Sequence, residues 1–146
     1  MITLAEIGIH LPPIAHTGAG YNGWLASQRC AIPGCGLRQV ELHHTAAFQD
    51  IGRKTHSLRR YTPIPLCAAH HRHARYSIHS LIRPGAEHNQ DRTRREDRQL
   101  VFLGARPAAE LLRGYYRAYA GERNIRLPAP SSARALAHLL LELEVA

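Results

Sequence analysis

Two short stretches, CAIPGC at 30–35 and CAAHHRH at 67–73, constrain this chain more than anything else in it. Cys30 and Cys35 flank a Pro33-Gly34 turn, which brings two thiols together. Cys67-x2-His70 spans the junction of an extended run with a helical one and brings a thiol to an imidazole. Each pair can chelate, and together they complete a Cys3His tetrahedron, a common closed zinc site. Such an ion contributes roughly 10–16 kcal/mol to folding, so these four positions tie distant parts of the chain to one point. The cysteines number three, and no secretory leader is evident. An odd, intracellular set argues against a disulfide framework and for metal ligation by Cys30, Cys35, Cys67 and His70.

The elements around these stretches follow from periodicity and punctuation. Residues 1–20 carry Pro12, Pro13, Gly18 and Gly20 and read as an irregular arm. Asn22 is placed to cap a short helix through Trp24 to Ala26. RQVELHH (38–44) alternates Val40 and Leu42 with polar neighbours, the pattern of a half-buried strand. Residues 45–60 lack a period and form a basic loop. YTPIPLC is a second strand, confined by Pro63 and Pro65 to an edge. A helix is expected from Ala68 to about Leu81, a charged one over 91–103 ended by Gly104, and another from Pro107 to Gly121. PAPSS (128–132) is a hinge, with Ser131 or Ser132 capping a last helix.

Histidine carries the second constellation. With His70 committed to the zinc, His71 points about 100° away on a helix. Upstream, His43 and His44 end the first strand. Neighbours on a regular strand face opposite sides, and only at a strand end can both approach one site. One of these imidazoles with His71 can hold a divalent ion with open positions, and the other can take a proton from water. His73, about 200° round the helix from His71, cannot face the same ion.

The arrangement C-x4-C, VELHH, IPLC-x2-HH and a later IH resembles the HNH, or ββα-metal, endonucleases. It is most similar to their zinc-knuckle branch, which includes the phage recombination-enhancement (Ref) type proteins. The similarity covers residues 22–82. It implies an α+β fold: a ββα-metal core over 28–82 with a structural zinc knuckle and additional C-terminal helices. It further implies that His43 is a ligand of the catalytic ion, His44 the general base, and His71 the second ligand, with His70 in place of a zinc-binding cysteine. His79 falls on a later ligand position. Eight residues of straight helix span about 12 Å, so His79 can share the ion only if the helix breaks near Tyr76-Ser77. The family's namesake asparagine, which orients the base and pins the loop, has no counterpart between the strands. Asp50, His56, Ser57 or a backbone carbonyl are the candidates for its work.

The charge balance agrees with a polyanionic partner. Net charge is +8, carried almost wholly by arginine, with Lys54 the only lysine. Arg53, Lys54, Arg59, Arg60, Arg72 and Arg75 are the expected phosphate contacts, whereas Arg92, Arg94, Arg95 and Arg98 alternate with acids and read as a solvated face. The expected activity is hydrolysis of DNA phosphodiester bonds with a structural Zn²⁺ and a catalytic Mg²⁺, Mn²⁺, Ni²⁺ or Zn²⁺. The competing reading is a degenerate zinc-knuckle module that only binds nucleic acid or protein. The expected organisation is an arm over 1–21, a nuclease domain with helical extension over 22–127, and a hinge with a C-terminal helix over 128–146. Leu136, Leu139, Leu140 and Leu143 line one face of that last helix, either as core or as a surface for a second copy or a partner protein. No run reaches the ~18 apolar residues of a membrane span. The expected location is the cytoplasm of a bacterium or phage-infected cell.

Overall fold

Thr17, rather than Asn22, starts the first helix. Its hydroxyl accepts the Gly20 N–H at 2.9 Å, and α1 runs Gly18–Ala26. Asn22 lies inside the helix and donates to the carbonyls of Gly18 and Arg60. The structure, a computed structural model, describes residues 14–48, 58–81 and 89–145. Within them the order is α1, β1 (Glu41–His44), β2 (Pro63–Leu66), a π-helical turn (Ala69–His73), α2 (Ile78–Leu81), α3 (Asn89–Phe102), α4 (Ala108–Glu122) and α5 (Ala133–Glu142). The architecture is α+β: helices around a small two-stranded antiparallel sheet. None of the described helices is long and apolar enough to cross a membrane.

The strands pair Glu41 with Leu66, Leu42 with Pro65, His43 with Ile64 and His44 with Pro63. Both prolines sit at alternate positions, so their missing N–H groups fall on the side of β2 away from β1. On that far side the Pro65 carbonyl accepts the Ala31 N–H at 2.8 Å, which docks the Cys30–Cys35 loop against β2. The loop itself is a type II turn. Cys35 N–H bonds the Ile32 carbonyl at 3.1 Å, Pro33 supplies the fixed φ, and Gly34 takes φ +80°, which a side chain would resist.

The helix expected over 68–81 is interrupted. The Ala74 N–H reaches back five residues to the Ala69 carbonyl at 3.0 Å, and Ala74 then turns extended at ψ 154°. The chain restarts as α2 at Ile78, anchored by the buried Ile78 side chain. The π-turn inserts a residue into the helical repeat and re-aims the chain beyond it. Further along, Gly104 at φ +88° terminates α3. Pro107 is the N-cap of α4 rather than its first residue, and Asp97 of α3 accepts the Ala108 N–H at 2.9 Å.

The core is built from α1, β2, α4 and α5. Tyr21, Tyr61, Tyr116 and Tyr119 pack as a cluster of tilted and edge-on rings, joined by the half-buried Trp24. Leu112, Leu136 and Leu140 close it from the C-terminal helices. Ser132 caps α5, and the Leu136–Leu140 face lies in this core rather than free in solvent; Leu139 is half-buried and Leu143 exposed.

Candidate metal centres

The turn and the junction predicted to meet do meet. Cys35 Sγ lies 3.8 Å from Cys67 Sγ, and His70 Nδ1 lies 3.6 Å from Cys30 Sγ and 3.2 Å from Cys67 Sγ. A tetrahedral zinc with bonds of about 2.3 Å to sulfur and 2.0–2.1 Å to nitrogen separates two sulfurs by about 3.8 Å and sulfur from nitrogen by about 3.5 Å. The observed spacings fit that polyhedron, whereas 3.8 Å is far longer than a disulfide bond. The Cys67 and Ile32 N–H groups point at the Cys30 sulfur, the way a knuckle backbone wraps a thiolate. Burial nevertheless pushes the Cys30 thiol up to about 11. A cation among these sulfurs would supply the charge that ionises it.

The second cluster is His43, His71 and His79, whose ligand atoms lie within 4.8 Å of one another. The break at Ala74 folds His79 back onto His71, leaving their Nε2 atoms 2.9 Å apart. Two ligand atoms held at about 2.1 Å and at right angles around an octahedral ion stand about that far apart. The His43 ring centre lies 5.2 Å from each of the other two. Burial, followed by the neighbouring imidazoles, lowers the pKa of His71; burial and then His43, Arg92 and Arg72 lower that of His79. Neutral imidazoles offer lone pairs, so the donor set suits a divalent cation. Strand alternation puts His43 inside and His44 outside.

His44 has a fixed tautomer. Thr62 gives its single hydroxyl proton to the Arg59 carbonyl at 2.9 Å, so its oxygen must accept from His44 Nδ1–H, at 3.0 Å. The lone pair is thereby left on Nε2 of this exposed residue. Burial of part of the ring, then the Arg59 charge and His43, hold its pKa below the ordinary value.

Several residues around these clusters carry no motif. Glu96, buried on α3, places Oε2 2.9 Å from His43 Nε2 and accepts the Ala46 N–H at 3.0 Å with Oε1. Glu41 Oε1 stands 3.5 Å from His71 Nδ1, and the same carboxylate binds the Arg72 guanidinium. Thr62 orients His44. A signal for Glu96 exists in the sequence: it shares a helical face with Gln99, Leu100 and Leu103, so it points inward with them. Thr62 and Glu41 offer no comparable signal, because strand pairing brings Thr62 beside His44 and the turn after Cys67 brings His71 beside Glu41.

The basic residues divide. Arg59 is exposed and acts on His44 through its charge. Arg60 pairs with Glu144 at 3.5 Å, Arg72 is engaged by Glu41, and Arg75 is exposed on the segment after the π-turn. Arg53 and Lys54, like Asp50, His56 and Ser57, lie outside the described residues. Arg92, expected on a solvated face, is half-buried and sends its charge toward His79. His73 is exposed, as its helical angle requires. No family model, curated protein or solved structure matches this chain.

Proposed function

We propose that this chain is a metal-dependent DNA endonuclease with a ββα-metal core formed by β1, β2 and the broken helix after Cys67. A structural Zn²⁺ belongs to Cys30, Cys35, Cys67 and His70. A catalytic divalent ion, Mg²⁺ or another such as Mn²⁺, Ni²⁺ or Zn²⁺, belongs to His43, His71 and His79. The carrying observation is the coexistence of two ligand sets of different chemistry. One is sulfur-rich and complete at four donors; the other has three imidazoles and so leaves positions open for substrate and water.

When bound, the ion supplies charge neutralisation at the scissile phosphate. His44 Nε2 takes the proton of the attacking water, whose oxygen bonds to phosphorus as the bond to the 3′ oxygen breaks. The leaving oxygen is protonated by solvent, and the resemblance to HNH enzymes implies 5′-phosphate and 3′-hydroxyl ends. Thr62 holds His44 in the tautomer this step needs. The loop after β1 is held from α3, through Glu96 and Thr93 on the N–H and carbonyl of Ala46. The two tasks of the absent asparagine thus fall to residues from two other elements. Arg59 and Arg92, charged neighbours of the base and of the imidazole cluster, are suited to phosphate contacts.

The test is nicking of supercoiled plasmid with Mg²⁺, Mn²⁺ or Ni²⁺ added to zinc-loaded protein. The expected result is cleavage that His44→Ala abolishes and Thr62→Val slows about 10–100-fold, as loss of an orienting partner does. Cleavage by His44→Ala at the parental rate overturns the mechanism. A single tightly held zinc, with no second divalent site and no nicking, identifies instead a zinc-knuckle binding module.

A further inference from the structure

Glu96 is 1 % exposed, on a helix whose Arg94, Arg95 and Arg98 face solvent. Its side chain accepts on both oxygens, from the backbone of Ala46 and toward His43 Nε2. A carboxylate taken this far from water needs a compensating positive charge. An ion one imidazole away would supply it.

We propose that Glu96 is a positioning residue for the divalent-ion site: it holds the His43 proton on Nε2 and turns the Nδ1 lone pair toward His71 and His79. The proposal rests on reading the three-histidine cluster as an ion site. A carboxylate accepts and does not donate, so the ring atom facing Oε2 carries the proton. The other nitrogen is then the ligand. Carboxylates behind metal-bound imidazoles fix ring orientation and raise donor strength in this way. The helix supporting Glu96 is itself pinned to the site. Thr93 donates to the Ala46 carbonyl at 3.1 Å, and Gln99 donates to the Tyr76 carbonyl, where the chain breaks before His79. The same helix therefore grips both the strand end carrying His43 and the segment carrying His79. A site expected from residues 28–82 alone draws on a helix that begins after them.

Glu96→Gln separates this role from a merely structural one. Glutamine keeps the shape but has one acceptor oxygen for two N–H groups. The Ala46 N–H cannot change, so the amide NH2 faces His43 and drives its proton to Nδ1, the atom assigned to the ion. Two measurements on full-length, zinc-loaded protein decide the matter. The imidazole ¹⁵N pattern without added ion should show His43 protonated at Nε2 in the parent and at Nδ1 in Glu96→Gln. Calorimetric titration with Ni²⁺ should show about 10–100-fold weaker binding in the variant, with one zinc retained. A parent His43 protonated at Nδ1, or equal Ni²⁺ affinity in parent and variant, overturns the proposal. A parent that binds no Ni²⁺ beyond its zinc overturns the ion-site reading instead, and the ¹⁵N arm still decides whether Glu96 sets the tautomer.

Discussion

His16 is a buried imidazole whose contacts make one contribution to the pH dependence of this fold. It is 2 % exposed, with Nδ1 2.7 Å from the Tyr119 hydroxyl and Nε2 3.1 Å from the Leu140 carbonyl. A carbonyl only accepts, so Nε2 carries the proton, shared between the Leu140 carbonyl and the Tyr61 hydroxyl oxygen at 2.9 Å, and Nδ1 accepts from Tyr119. Burial lowers its pKa, with Arg123 acting in the same sense and Glu144 and the Leu140 carbonyl opposing. A depressed folded value means that the unfolded chain binds the proton first. The His16 contribution is fully present above about pH 6.5, the unfolded value, and is lost as pH falls through the folded one. His44, His71 and His79 shift in the same direction, so the comparison must isolate His16. In zinc-replete buffer, the Tm of the parent should fall more steeply from pH 7.5 to 5.5 than that of His16→Gln, which keeps a donor and an acceptor. Parallel slopes would remove His16 from the account.

Among the elements, α5 and the broken helix depart most from a reading by pattern. The leucine stripe of α5 favoured core but left a partner surface open, because a 3.6-residue period says that a face is covered, not by what. Packing on α4 buries Leu136 and Leu140 and leaves Leu143 48 % exposed. Leu140→Ala should therefore cost about 2–5 kcal/mol and Leu143→Ala less than about 0.5 kcal/mol, read as shifts in denaturant midpoint. Equal effects would mean that α5 packs otherwise. The interruption after His73 has no proline or glycine to announce it: AHHRHARYSIH reads as continuous helix. Its cause is tertiary. Ile78 is drawn into the core and the Tyr76 carbonyl is taken by Gln99 of α3. The turns are the opposite case. Pro33-Gly34 and Gly104 were legible because φ is dictated locally at those residues.

For the molecule as a whole, the Cys3His site and the net stability of a domain are of similar size. A structural zinc contributes roughly 10–16 kcal/mol, against about 5–15 kcal/mol of net stability for a typical domain. Cys67→Ala, or a strong chelator, should unfold the chain, followed as loss of the cooperative thermal transition; an unchanged Tm would exclude a structural ion. The histidine cluster behaves differently from one member to the next. His79 is exposed, and His79→Ala should leave Tm nearly unchanged. His43→Ala strands the buried Glu96 carboxylate and should lower stability by about 3–5 kcal/mol, the usual cost of removing one partner of a buried pair.

Residue type and short spacing are enough to specify the two chelating pairs of the sulfur-rich site, the turn and junction that form them, the two strands, and the candidacy of His43, His44 and His71; His79 entered only through the resemblance to HNH enzymes. Within each pair backbone geometry leaves few choices; that the two pairs meet, across 32 and 40 positions, followed from the four-donor chemistry of zinc. Residue type and spacing do not specify that His79 meets His71, that Thr62 fixes the tautomer of His44, or that Glu96 stands behind His43. Those contacts join residues 8, 18 and 53 positions apart. They depend on a helix break, a strand register and a helix docking that arise from burial across the whole core, which no local pattern encodes.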